Sequence, residues 1–225
     1  MRDHFVPKIE EVLDVYQQAY DPICPIVCLD EQGKELQAHK PGREPLPPQP
    51  NQSAPVGCVR QDYEYERRGS ANLVMICAPL LGWRQVVVNQ ERDHRPFAYL
   101  LKDLVDELFP QAVKIRLVTD NLNIHHPASL YKVFPPEEAR RILNKLEWHY
   151  TPEHGSWLNM AELELSVLTR QCLNQRFGDL ETLRTEVQAW CQERNQREVR
   201  INWQFTSADA RIRLRRLYPA IEDIT

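Results

Sequence analysis

What the chain lacks narrows its class before any motif is considered. No stretch approaches the ~20 consecutive apolar residues of a membrane-spanning helix, which argues against a helical membrane protein. The opening MRDHFVPKIEE has no apolar signal region, so a cytoplasmic protein is expected. Six cysteines are scattered without a zinc-type Cys-x-x-Cys pair. The closest two, Cys24 and Cys28, fall on a predicted strand that would aim both at one face. Buried free thiols are therefore expected rather than a structural metal or a disulfide framework. There is no excess of positive charge either, since the formal net charge is −4. No internal repeat and no linker interrupts the chain.

What is present fits an ordinary soluble domain: 225 residues, 42 % apolar and 27 % charged, enough chain for a real core. Ile9, Val12, Leu13 and Tyr16 recur at helical spacing near the start. PIVCLD (Pro25–Asp30) reads as a buried strand ending in an acid. PGREPLPPQPNQSAP (Pro41–Pro55) carries six prolines in fifteen residues and reads as a long extended loop. DYEYER, ANLVMICAPL and WRQVVVN follow as three strands, with Gly69 and Gly82 in the turns of an antiparallel meander. Phe97, Leu101, Leu104 and Leu108 mark a helix, and Ile115 to Asp120 a strand that again ends in an acid. PPEEARRILNKL is a short helix opened by proline, and LEWHY another strand. From Leu158 onward the chain reads as mainly helical, over Leu158 to Leu173, Leu180 to Asn195 and Ser207 to Leu217. The order predicts an α/β fold, one mixed sheet with meander strands flanked by helices.

Three acids can be grouped. Asp30 and Asp120 end two strands, and ligands of such sheets gather near strand ends. A third comes from GSWLNMAELELSVLTRQCL, whose core stripe is Leu158, Ala161, Leu165, Leu168 and Cys172. Glu162 and Glu164 flank that stripe by roughly equal angles, so periodicity does not choose between them. Asn159 and Ser166 make Glu162's flank a polar margin. Three carboxylates from two strands and a helix suit a two-magnesium phosphoryl-transfer site, because hard cations take oxygen ligands. The competing reading is three unrelated cap and surface residues. ARIRLRRLYP places Arg211, Arg213, Arg215 and Arg216 together, either as a solvated helix face or as a phosphate-contacting patch.

VCLDE, VTDNLNIHH, HYTPEHGSWLNMAELELS and WQFTSADARIRLRRLYP together resemble the catalytic domain of a bacterial insertion-sequence transposase. The family is the DDE type, mariner-related, in the insertion-sequence group numbered 630, and the likeness runs from about Cys24 to Pro219. It implies an RNase H-like fold and a triad of Asp30, Asp120 and Glu162 binding two Mg2+ ions, with Mn2+ as a substitute. It leaves Glu164 without a metal role. Asn121 and His125 match the rest of DNxxxH and would orient Asp120 or approach the substrate phosphate. His126, His149 and His154 read as structural, and Trp157 as an anchor of the turn into the last catalytic helix.

The implied activity is DNA cleavage and strand transfer at transposon ends, by a homodimer when DNA-bound, in a bacterial nucleoid. The Pro41–Pro55 loop would reach the partner subunit. Residues 1–22 would be an N-terminal helix or linker and 23–225 the catalytic domain, leaving no room for the helix-turn-helix modules usual in the family. The 41 residues between the second and third acids are more than mariner relatives commonly show. Two rivals stand beside this reading: an RNase H-like nuclease that does not join strands, and an inactive domesticated DNA-binding domain.

Overall fold

Alternation along the strands decides which layer each residue serves. The computed structural model describes residues 5–46, 63–91, 93–122 and 125–218. The first helix, α1 (Phe5–Tyr16), buries Ile9, Val12, Leu13 and Tyr16. Strand β1 (Ile26–His39) pairs antiparallel with β2 (Tyr65–Ala78), which pairs antiparallel with β3 (Trp83–Asn89). Helix α2 (His94–Asp103) is capped by the Asp93 side chain and widens into a π turn over Leu104–Leu108. Strand β4 (Ile115–Thr119) then returns parallel to β1. Two short helices, α3 (Ala128–Tyr131) and α4 (Pro136–Lys145), lead to β5 (Leu146–Tyr150), parallel to β4. Proline opens α4 because its missing N–H is needed least in a first turn.

The remainder is helical: α5 (Met160–Leu168), continued by a π turn over Thr169–Leu173, then α6 (Leu180–Gln196) and α7 (Ser207–Arg213). Among the described residues the sheet has five strands in the order β3-β2-β1-β4-β5. One face, carrying Ile26, Cys28, Met75 and Val118, is buried under α1, α5 and α6. The other, carrying Val27, Leu29, Ile76 and Leu117, is buried under α2 and α4. Both faces being covered explains why the strand centres read as continuous apolar runs.

Three expectations need correction. Strand β1 does not stop at Asp30 but runs nine residues further, because residues 31–39 find partners on β2. DYEYER and ANLVMICAPL are not two strands around a turn. Their residues 65–67 and 71–78 belong to one strand, β2, in which Gly69 at φ 107° sits where the register with β1 slips and Arg68 goes unmatched. Glycine here permits a bulge, which bends a strand without ending it. Cys24 lies in the turn before β1, so it does not share a strand face with the buried Cys28. Gly82 does occupy a turn, at φ 68°, and a Cβ there would meet the Glu198 carbonyl carbon at 2.5 Å. Of the Pro41–Pro55 segment, residues 47–55 lie outside the described residues, and the expected partner contact with them.

Candidate active site

The parallel pairing of β1 with β4 ends at the couple Leu29↔Thr119. Asp30, the next residue of β1, and Asp120, the first residue past β4, follow that couple, and the charge of Asp120 bears on Asp30 where the sheet forks. Asp30 continues the alternation of Ile26 and Cys28 and therefore faces the layer that contains α5. Glu162 sits in the first turn of α5. Asn159 is the N-cap of that helix, its side-chain oxygen accepting from Ala161 N–H at 3.1 Å. Its amide nitrogen donates to the Leu29 carbonyl at 2.8 Å and to Asp30 Oδ2 at 3.3 Å. The other Asp30 oxygen accepts from the Glu31 backbone N–H at 2.8 Å.

Electrostatics ties the three acids together. Burial pushes the Asp30 carboxyl up to about 6, and the charges of Asp120 and Glu162 push the same way. The Glu31 N–H and His125 oppose that shift. His125 is fully buried, stacks near Phe97 with ring centroids 4.9 Å apart, and holds Asp120 Oδ1 through Nδ1. Its Nε2 is buried without a hydrogen-bond partner and lies 4.0 Å from Glu31 Oε1. Glu31 itself points to the opposite face, where Asn72 Nδ2 donates to Oε2 at 2.6 Å.

The choice between the two glutamates of α5, which periodicity left open, comes down to what each touches. Glu164 is 2 % exposed and receives Arg84 Nε at 3.2 Å and Arg194 Nη2 at 2.9 Å. Arg84, equally buried, also donates to the carbonyls of Gly82 and Val199. That charge is matched inside the protein. Among the described residues Glu162 has no such partner, and its Oε2 is buried without any hydrogen bond. A buried carboxylate oxygen with nothing to accept from is costly unless a cation or donor arrives.

The other expected residues divide. Asn121 is exposed beside Asp120. Arg211 is engaged by Glu10 through two contacts of 2.8 and 2.9 Å, whereas Arg213, Arg215 and Arg216 are exposed. His126 accepts from Ala128 N–H, His149 lies between Glu11 and Glu147, and His154 is exposed at φ 63°. Trp157 meets Phe205 edge-on but stays 41 % exposed. Asn159 has a role here that its sequence pattern only half signals. Its signal was there, an Asn directly before an apolar-periodic helix, but its reach to Asp30 crosses 129 residues. A groove of about 460 Å³ lies elsewhere, between β3 and α6, and none of the three acids lines it.

The donor set fits hard divalent cations. It is all oxygen, one oxygen is orphaned, and among the described residues no Lys or Arg pairs with Asp30, Asp120 or Glu162. Among the described residues no three His, Cys, Asp or Glu side chains are gathered tightly enough to hold an ion ready-made. Like charges resist closer approach, and Asp120 is drawn to His125.

Residues 25–184 match the family model of the DDE superfamily endonucleases. The chain belongs to that family. No curated protein matches it by sequence. Among solved structures it resembles the Mos1 transposase paired-end complex with left transposon end, at 15 % identity and TM-score 0.52, over 88 % of this chain and 59 % of that one. The Mos1 strand transfer complex matches at 17 % and 0.51, over 87 % and 56 %. A pre-cleavage Mos1 transpososome matches at 15 % and 0.51, over 91 % and 65 %. The chain thus spans about six tenths of the length of the Mos1 chains it resembles. At such identity the likeness establishes the fold, which is RNase H-like. Among the described residues no helix is long and apolar enough to cross a membrane.

Proposed function

We propose that this chain is the catalytic domain of a DDE transposase of the mariner-related insertion-sequence 630 group. It cleaves DNA at a transposon end and joins the freed 3′-hydroxyl to target DNA. The observation that carries the reading is that Asp120 and Glu162 both bear on the buried Asp30 by like-charge repulsion at the fork of β1 and β4, where among the described residues no Lys or Arg pairs with any of the three. Asp30 with Asp120, and Asp30 with Glu162, would hold two Mg2+ or Mn2+ ions. Such ions, when bound, stabilise charge on the attacking and leaving oxygens of an in-line phosphoryl displacement. A Mos1 paired-end complex with Mg shares the fold at TM-score 0.50.

The protein's own part is mainly positional. His125 fixes Asp120 from the far side of the sheet, and the Glu31 N–H fixes one oxygen of Asp30. Neither Asp30 nor Glu162 needs to become a nucleophile, so no covalent protein–DNA intermediate is required. Arg213, Arg215 and Arg216 attract the phosphate backbone without reading bases. The working assembly on DNA is a homodimer, one copy for each end.

The test is a labelled transposon-end duplex with an unlabelled target, in Mg2+ and again in EDTA. Metal-dependent nicking followed by transfer of label to the target supports the reading. Nicking without joining supports the RNase H-like nuclease instead. Binding without nicking would leave a domesticated DNA-binding domain.

A further inference from the structure

Asn159 touches the carboxylate of Asp30 and the backbone of Glu162, the two acids that the proposed function assigns to a shared ion. Its amide nitrogen donates to Asp30 Oδ2 at 3.3 Å and to the Leu29 carbonyl at 2.8 Å. Its side-chain oxygen caps α5 at Ala161 N–H, and its backbone carbonyl accepts the Glu162 N–H at 3.1 Å. Its own N–H goes to Ser156 O at 2.7 Å, and the residue is fully buried. An asparagine side chain has two donors and an acceptor, and here both ends are engaged. Serine, threonine or aspartate would cap the helix as well. None of them can cap it and also donate to both the Leu29 carbonyl and Asp30.

The place of this contact matters. The Leu29 carbonyl lies at the last couple of the β1–β4 pairing, where β4 leaves the sheet. Asn159 therefore pins the start of α5 into the fork itself. Through one side chain, the helix turn bearing Glu162 is set against the strand residue Asp30.

We infer that Asn159 is the positioning residue that sets the separation of Asp30 and Glu162 for divalent-cation binding. This rests on the proposed function only in taking those two acids as ligands. Mg2+ demands near-ideal octahedral geometry, while Ca2+ accepts flexible coordination. A loosened Asp30–Glu162 spacing thus weakens Mg2+ more than Ca2+. Loss of a group that orients a metal ligand typically costs about 10- to 100-fold in metal affinity.

The experiment measures Mg2+ and Ca2+ binding to the whole chain by titration calorimetry, for wild type, Asn159→Ser and Asn159→Thr. Thermal melts in EDTA establish that each variant is folded. Both variants keep a cap acceptor but lose the amide donor, and threonine fills more of the vacated space. Expected are a Mg2+ affinity lowered at least about 10-fold, a smaller loss for Ca2+, and nicking that recovers when Mg2+ is raised to saturation. Wild-type Mg2+ affinity in either folded variant overturns the inference while leaving the proposed function standing. Equal losses for both ions also overturn it, since spacing would then not be what changed. Failure of both variants to fold makes Asn159 a residue of the fold alone and overturns it too. A wild type that binds no Mg2+ would instead bring down the proposed function, and this inference with it.

Discussion

Two glutamates two residues apart on α5 meet opposite surroundings. Glu164 faces Arg84 and Arg194 in a sealed cluster that links α5 to β3 and α6. Glu162, like Asp120, bears on Asp30, and among the described residues one of its oxygens has nothing to accept from. Both are half of a buried electrostatic problem. In the first case the protein supplies the counter-charge, so the cluster fixes the fold and has no need of a ligand. In the second, apart from His125 at Asp120, it supplies more negative charge, so the remaining charge calls for protons or for cations from outside. Residue type and helix position are nearly the same; the neighbours decide which glutamate is neutralised inside the protein and which is left for the proposed ions.

The sharpest way to test that contrast is activity per folded molecule. Asp30→Asn, Asp120→Asn and Glu162→Gln are each expected to reduce Mg2+-dependent nicking to background, whereas Glu164→Gln keeps it. A dead but folded Glu164→Gln beside an active Glu162→Gln would reverse the assignment. Stability is expected to move the other way. Glu164→Gln leaves Arg84 and Arg194 buried without their carboxylate, and breaking such a pair costs about 3–5 kcal/mol. A urea denaturation midpoint close to wild type would mean that the cluster contributes little.

Asp30 supplies the opposite sign. Its carboxyl rises from an ordinary 3.8 to about 6 on folding, so the folded chain holds that proton more tightly than the unfolded one. Its burden on stability is absent below pH ~4, grows as pH rises through ~6, and is then full, at roughly 3 kcal/mol. In EDTA, Asp30→Asn is therefore expected to be more stable than wild type at pH 8 and nearly equal to it at pH 4. A stability difference that does not vary between those pH values would remove the uncompensated-charge account of the site.

The smallest effects concern the C-terminal arginines. Replacing Arg213, Arg215 and Arg216 by alanine is expected to weaken DNA binding about equally on all sequences. It should also flatten the slope of log affinity against log salt by roughly one per arginine. Arg211→Ala is expected to change that slope less, because Glu10 already engages its guanidinium. Equal slope changes for all four would show that the Glu10 contact opens on DNA.

Much of the architecture was legible in the sequence, because local pattern and local structure agree there. WRQVVVN and LEWHY are strands β3 and β5 at the bounds their apolar runs suggested, and the proline-opened helix starts where proline permits. The core stripe of α5 is buried as its spacing required. The motif words around Asp30, Asp120 and Glu162 named the candidate acids. What remained hidden depends on partners far along the chain. Gly69 reads as a turn until β1 is seen to continue beside it, since a bulge is a property of two strands. Asp30 reads as a strand end until the antiparallel pairing with β2 carries β1 past it. The sequence left Glu162 and Glu164 on equal flanks of one stripe, and a helical wheel contains no Arg84 or Arg194 to separate them. Counter-charge comes through space rather than along the chain, so only the tertiary structure could give one glutamate its arginines and set the other beside Asp30.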